Sequence, residues 1–214
     1  MKNKEREVPL VVVKRLPRYY RYLGECLKQG VTRISSKSLS EKMGVTASQI
    51  RQDLNFFGGF GQQGYGYNIE KLYNEIGEIL GLTKGYTTII VGAGHLGHAL
   101  ANHSNFKKRG FRLVGIFDKS SEVIGTVIND ITVMDIKSIS EFLEKTHVDI
   151  AILAIPKKGA TEVVDRLVEL GIKGFWNFSY TDISVPDDVA IENVHLSDGL
   201  MTLSYRLTEQ VENV

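Results

Sequence analysis

Six consecutive residues, Gly92-Ala93-Gly94-His95-Leu96-Gly97, have the glycine spacing of a turn that cradles phosphates. The pattern alone is common in proteins, so its context decides its meaning. It directly follows the apolar run Thr87-Thr88-Ile89-Ile90-Val91 and opens a helical segment at His95. In that setting the first glycine permits the tight turn. The second lets backbone N–H groups approach a pyrophosphate, and the third lets the helix pack closely on the strand. The helix N-terminus then faces the anion. A second apolar run ends in Asp118, 21 residues after Gly97. A carboxylate there accepts hydrogen bonds from the adenosine ribose hydroxyls and repels a 2′-phosphate. The chemistry is binding of a dinucleotide, with NAD(H) favoured over NADP(H); Lys119 beside the carboxylate keeps the second open.

Two other segments belong to the same edge. Ala154-Ile155-Pro156 and Trp176-Asn177-Phe178 lie at the carboxyl ends of strands, where open α/β sheets bind ligands, and are expected to border the nicotinamide. For the aromatic pair, ordinary strand-end packing competes closely with that role. Catalysis has little support. The five histidines show no catalytic spacing; His95 and His98 sit on the first helix, facing either ligand or solvent. With roughly 85 residues preceding the dinucleotide segment, no chain is left for a substrate domain, so neither an enzyme nor a catalytic residue is assigned. No Cys/His cluster suggests a metal. The single cysteine, Cys26, cannot form an internal disulfide and reads as a packing residue.

The elements that hold these residues alternate from Tyr86 onward. TTIIV, FRLVGIF, ITVM, VDIAILAI and KGFWNF read as strands, and helices are predicted over 95–104, 138–145 and 159–170. Continuous apolar strands separated by helices imply a parallel sheet covered on both faces, a Rossmann arrangement.

The residues before it are different in charge. Residues 1–56 hold 12 Lys/Arg against 5 Asp/Glu, a balance of 12 − 5 = +7 in a chain whose total is +1, which leaves −6 for the rest. That end is suited to an anionic partner, although a solvated helical face would carry the same charge. Its pattern adds the missing specificity. A helix over 17–29 opens with Pro17, places Tyr19, Tyr22, Leu23, Cys26 and Leu27 on one face, and ends at Gly30. Ser38 with Glu41 resembles a capping box for a short second helix stopped by Gly44. Thr46 caps a third, with Ile50, Leu54 and Phe57 inward and Ser48, Gln49, Arg51, Gln52 and Asn55 on its other faces. Residues 57–68 hold five glycines interleaved with Phe and Tyr, which suits a hairpin. Three helices and a glycine-rich hairpin make a winged helix-turn-helix. A helix over 69–80, with Ile69, Leu72, Tyr73, Ile76, Ile79 and Leu80 inward, leads to a linker at 81–85. The expected contacts to double-stranded DNA are Arg15, Arg18, Lys42, Thr46, Ser48, Gln49, Arg51, Gln52, Gly64, Tyr65, Gly66 and Tyr67. Of these, Gln49 and Arg51 point toward base edges, and Arg15, Arg18 and Lys42 toward phosphates.

A basic winged helix joined to an NAD-type Rossmann domain resembles the Rex family of redox-sensing transcriptional repressors over essentially the whole length. The resemblance rests on Arg15-Leu16-Pro17 with Tyr19-Tyr20, Ser48-Gln49-Ile50-Arg51 with Asp53-Leu54, and Gly66-Tyr67-Asn68. It continues in Val91-Gly92-Ala93-Gly94 with Gly97, Gly115-Ile116-Phe117-Asp118, and Gly171-Ile172-Lys173-Gly174 with Asn177-Phe178. The family implies a homodimer that binds a palindromic operator and represses genes of NADH reoxidation when NADH is scarce, then leaves when NADH rises. NADH and NAD+ act there as signals and are not consumed. This chain departs from the family pattern at Gln52, where a basic residue is usual, and at Gln62-Gln63 in place of Lys-Arg. Ser179-Tyr180 stands in place of Ala-Pro. The first two changes remove positive charge that would meet DNA.

A last helix is expected over 199–212, capped by Ser197 or Asp198, with Leu200, Leu203, Leu207 and Val211 as an apolar stripe. The resemblance implies that it swaps onto a second subunit; packing on its own chain is the alternative. The organisation expected is therefore α/β: a winged-helix domain over 1–81, a Rossmann domain over 86–196 and a dimerisation helix over 197–214. No run of about 18 apolar residues and no signal-peptide pattern occur, so a cytoplasmic location without membrane contact is expected. A small NAD-dependent oxidoreductase and a sensor of another ligand are the two readings from other classes.

Overall fold

The structure, a computed structural model, describes residues 8–56, 61–62 and 66–212, the side chains of 61, 62 and 210–212 excepted. Phe57, Gln63, Gly64, Tyr65 and the side chains of Gln62 and Val211 lie outside the described residues. The chain divides into two compact units between Lys84 and Gly85.

In the first unit, α1 (Leu10–Val13) precedes α2 (Leu16–Lys28), whose Pro17 sits in the first turn where its missing N–H costs nothing. Gly30, at φ 74°, ends α2. Strand β1 (Arg33–Ile34) follows, then α3 (Ser36–Met43) and α4 (Ala47–Asn55). The cap of α3 is Ser35, whose hydroxyl accepts from the Ser38 N–H at 3.0 Å. Ser38, expected to be the cap, lies inside the helix. Leu39 and Met43, four residues apart on one face of α3, are both buried. Thr46 caps α4 as expected, accepting from the Gln49 N–H at 3.2 Å. Strands β2 (Gly61–Gln62) and β3 (Gly66–Asn68) form the hairpin, and β1 joins it to give a three-stranded antiparallel sheet in the order β1-β3-β2. Helix α5 (Ile69–Ile79) closes the unit. Leu16, Tyr19, Leu23, Cys26, Leu39, Ile50, Leu54, Ile69, Leu72 and Ile76 share one buried core. Ile79, expected inward, is 39% exposed at the end of α5.

The second unit contains β4 (Tyr86–Val91), α6 (His95–Ala101), α7 (Asn105–Lys108) and β5 (Phe111–Asp118). The edge hairpin of β6 (Val127–Ile128) and β7 (Ile131–Asp135) comes next, followed by α8 (Ile139–Lys145) and β8 (Ile150–Leu153). Helix α9 (Ala160–Glu169), β9 (Gly174–Asn177), β10 (Ala190–Asn193) and α10 (Leu196–Glu212) complete it. The seven strands run β10-β9-β8-β4-β5-β7-β6, all parallel except β6. Apart from β6, this is the doubly wound order in which β4 stands centrally and the connections reverse direction between β4 and β8. Ile89, Ile90 and Val91 are buried in succession, because helices cover both faces. Helix α10 begins three residues before its expected start, so Ser197 and Asp198 lie in its first turn; the charge of Asp198 there still suits the helix dipole.

Candidate functional site

The glycine turn leaves the C-terminal end of β4 at the reversal point. Gly92 has φ 103°, and a Cβ on it would stand 2.4 Å from the Ala154 carbonyl oxygen. A Cβ on Gly97 would stand 1.8 Å from the Gly92 carbonyl oxygen. Protein sterics alone therefore demand both glycines. Gly94 differs: its φ is −69°, and a Cβ there would meet nothing within 4 Å. The space over its backbone is the room a pyrophosphate needs, so the three positions carry the three separate requirements of a dinucleotide turn. Asp118 is half-buried at the end of β5 and spans this turn. One carboxylate oxygen accepts from the Ala93 N–H at 2.6 Å and the other from the Ser120 N–H at 2.9 Å. Each oxygen keeps acceptor capacity for a ribose hydroxyl. The residues present fit a dinucleotide without a 2′-phosphate.

The strand ends around this turn are held in register by Gly92 N–H to Phe117 C=O at 2.8 Å, Ala154 N–H to Val91 C=O at 2.8 Å and Phe178 N–H to Leu153 C=O at 2.9 Å. This brings Gly92, Ala93, Asp118, Ala154 and Ile155 together. His95 and Pro156 are exposed, and Leu96 is half-buried. Asn177 and Phe178 are placed otherwise. The Asn177 amide is buried, donating to the Thr181 carbonyl at 2.8 Å and the Asn193 side chain at 2.7 Å, and accepting from the Ser179 hydroxyl at 2.6 Å. Its hydrogen-bonding groups are spent on the turn after β9 and on β10. Phe178 is buried and packs edge to face on Trp176, with centroids 4.6 Å apart. Both are strand-end packing. Ser179 gains an explanation here: its hydroxyl, absent from alanine, holds the Asn177 oxygen. Tyr180 takes φ 59°, which proline cannot adopt, and its side chain is exposed.

In the first unit the expected DNA contacts also separate. Arg18, Lys42, Thr46, Ser48, Arg51 and Gln52 are exposed. Arg51 lies on the outer face of α4 and donates to the Ser36 hydroxyl at 3.0 Å. Tyr67 is buried in the core, which raises its hydroxyl pKa, and Gly66, at φ 70°, turns the hairpin where a Cβ would stand 2.7 Å from the Ile34 carbonyl oxygen. Arg15 and Gln49 face Asp53, whose side chain is fully buried. The guanidinium bridges both carboxylate oxygens at 2.6 and 2.7 Å, the Tyr19 hydroxyl donates at 2.7 Å and the Gln49 amide at 2.9 Å. Burial pushes the Asp53 carboxyl up, but these hydrogen bonds and the Arg15 charge outweigh it and hold the group below the ordinary carboxylate range. Sequence reading missed Asp53 as a site residue. The signal was available: a carboxylate three residues after Ile50, beside Leu54, falls on the inward face of the helix and needs a buried partner.

Among the described residues no group of His, Cys, Asp and Glu could hold a metal ion, and no helix is long and apolar enough to cross a membrane.

Known proteins resemble this architecture in both units. A family model for the N-terminus of putative DNA-binding proteins matches residues 7–55, and one for a CoA binding domain matches residues 83–181. The redox-sensing transcriptional repressor Rex of Thermoanaerobacter pseudethanolicus is 60% identical over 208 residues, 97% of this chain and 93% of that protein. The Rex of Clostridium perfringens (strain SM101) is 52% identical over 205 residues, 96% of this chain and 97% of that protein. The crystal structure of RSP in complex with beta-NAD+ and operator DNA matches with a TM-score of 0.89 at 60% identity, covering 96% of this chain and 94% of that one. The structure of RSP with beta-NADH matches at 0.89 and 56%, covering 96% of each. The chain belongs to the Rex family of redox-sensing transcriptional repressors.

Proposed function

We propose that this chain forms a cytoplasmic homodimer that holds a palindromic double-stranded operator when NADH is scarce and releases it when NADH binds. One observation carries the reading. A single chain joins a basic winged helix to a doubly wound sheet whose reversal point holds Gly92, Gly94, Gly97 and Asp118. The description of RSP with NADH, and with NAD+ and operator DNA, supports it. Gly92, Ala93, Gly94, His95, Leu96, Gly97 and Asp118 surround the pyrophosphate and adenosine ribose, with Ala154, Ile155 and Pro156 across the reversal point. On DNA, Arg18 and Lys42 meet phosphates, and Arg51, Ser48 and Gln52 present the outer face of α4 to base edges. The nucleotide is a signal, and no reaction is catalysed on it.

The test is operator selection from a random duplex pool, followed by gel-shift titration of the selected palindrome with NADH, NAD+ or NADPH. NADH is expected to raise the protein concentration for half-shift at least tenfold, with little effect of the other two. Equal titrations in all three nucleotides would overturn the proposal.

A further inference from the structure

Helix α4 carries a buried negative charge behind its exposed face. Asp53 is fully buried, and its two oxygens receive four donors, two each: Arg15 Nη2 and Gln49 Nε2 on one, Arg15 Nε and Tyr19 Oη on the other. That fills the acceptor capacity of a carboxylate. Arg15 spans from the N-terminal end of α2 to α4, 38 residues along the chain, with two parallel hydrogen bonds that fix direction as well as distance. If Arg15 swung out to a phosphate, it would leave a buried carboxylate without its countercharge. That penalty exceeds what one exposed cation gains on DNA in salt. Gln49 is bound in the same way, one turn before Asp53 on the same helix face.

We propose that Asp53 is a positioning residue for operator recognition: by holding Arg15 and Gln49 it keeps a free guanidinium and a free amide off the DNA-facing surface. Base reading thereby falls to Ser48, Arg51, Gln52 and Asn55, the exposed side chains of α4. Arg15 is a clamp within the protein and releases no counterions from DNA. Asp53 therefore favours sequence discrimination over charge-driven, sequence-independent affinity. This rests on the operator-binding reading above.

The experiment measures affinity of the full chain for its selected operator and for an unrelated duplex over a range of KCl concentrations. A phosphate contact contributes about 0.9 to the slope of log affinity against log salt. Arg15→Gln is expected to weaken operator binding with the slope unchanged. Asp53→Asn is expected to steepen the slope by about 0.9, as Arg15 becomes free to meet a phosphate. In that variant the ratio of operator to unrelated affinity should fall at least tenfold and base preference should broaden. Thermal melting by circular dichroism establishes that each variant is folded. Should Asp53→Asn not fold, the double variant Arg15→Gln/Asp53→Asn keeps a hydrogen-bonded neutral pair and is expected to show the unaltered slope. A slope flattened by about 0.9 in Arg15→Gln or in the double variant overturns the assignment, as does a folded Asp53→Asn with unchanged slope and preference. Failure of the unaltered protein to select any operator overturns the repressor reading itself, and this inference with it.

Discussion

Asp118 reaches back over the glycine turn to the Ala93 N–H, so one carboxylate both shapes the turn and, in the function proposed above, accepts from the ribose. Removing only its charge separates the two jobs. Asp118→Asn keeps an oxygen acceptor and is expected to narrow the preference for NADH over NADPH by at least tenfold, read by titration calorimetry; equal affinities in the unaltered protein would sink the assignment. At Gly97 the margin is steric. A methyl group placed 1.8 Å from the Gly92 carbonyl oxygen cannot be accommodated without moving α6 off β4. Gly97→Ala should cost at least the upper end of the about 1–3 kcal/mol typical of overpacking, and melting that matches the unaltered protein would contradict it. Gly94→Ala meets no protein atom, so it should leave stability intact and lose dinucleotide affinity. In the first unit, the pKa of Asp53 is lowered on folding, so its contribution to stability is present above the unfolded value of about 3.9 and disappears as pH falls through the folded value. Tyr19 is raised, chiefly by burial and then by Asp53, so its contribution holds below about 10 and is lost as pH rises through the folded value. A pH series of melting curves should therefore fall off at both extremes. With Tyr19→Phe the alkaline fall should weaken, the part set by buried Tyr67 remaining; an unchanged alkaline limb would remove Tyr19 from the account.

Helix α10 is the element with most left to bury. Leu196, Leu200, Met201, Leu203, Tyr205 and Leu207 are all at least half exposed, from 51% to 70%. Deleting the chain from Ser197 onward is expected to convert a dimer to monomers by light scattering and to weaken operator binding, since one half-site supplies too little affinity. A truncated protein that remains dimeric and binds normally would refute dimerisation through α10. The long elements were legible in the sequence because α2, α4, α5 and α9 carry a helical period and β4, β5 and β8 are continuous apolar runs. Two-residue strands have no period, so β1 and β6 were not. Strand β6 exists because Asn129 and Asp130 both take positive φ and turn it onto β7. The placement of the proposed site residues divides in the same way. The glycines were legible because they answer backbone demands fixed by local order, and Asp118 because the strand before it ends there. Arg15, Gln49, Tyr67 and Asn177 were not, since the direction of a polar side chain depends on a partner distant in sequence: Asp53 for the first two, the core for Tyr67, β10 for Asn177.

At the scale of the whole molecule, redox sensing requires that NADH and operator favour different arrangements of the proposed dimer. A ligand shifts such an equilibrium only by its differential affinity for the two arrangements. Moving the population from about 99:1 to about 1:99 takes about 10⁴-fold, or about 5.5 kcal/mol. Two nucleotide sites per dimer would share that, about a hundredfold each. Linkage then fixes the reverse effect: saturating operator must weaken NADH binding by the same overall factor by which saturating NADH weakens operator binding. NAD+ should show little of this coupling. The check is a pair of titrations at one salt concentration, NADH binding with and without operator and operator binding with and without NADH, and the two factors must agree. If NADH binds equally well to free and DNA-bound protein, it is a structural ligand here, and the redox switch fails even with both binding sites intact.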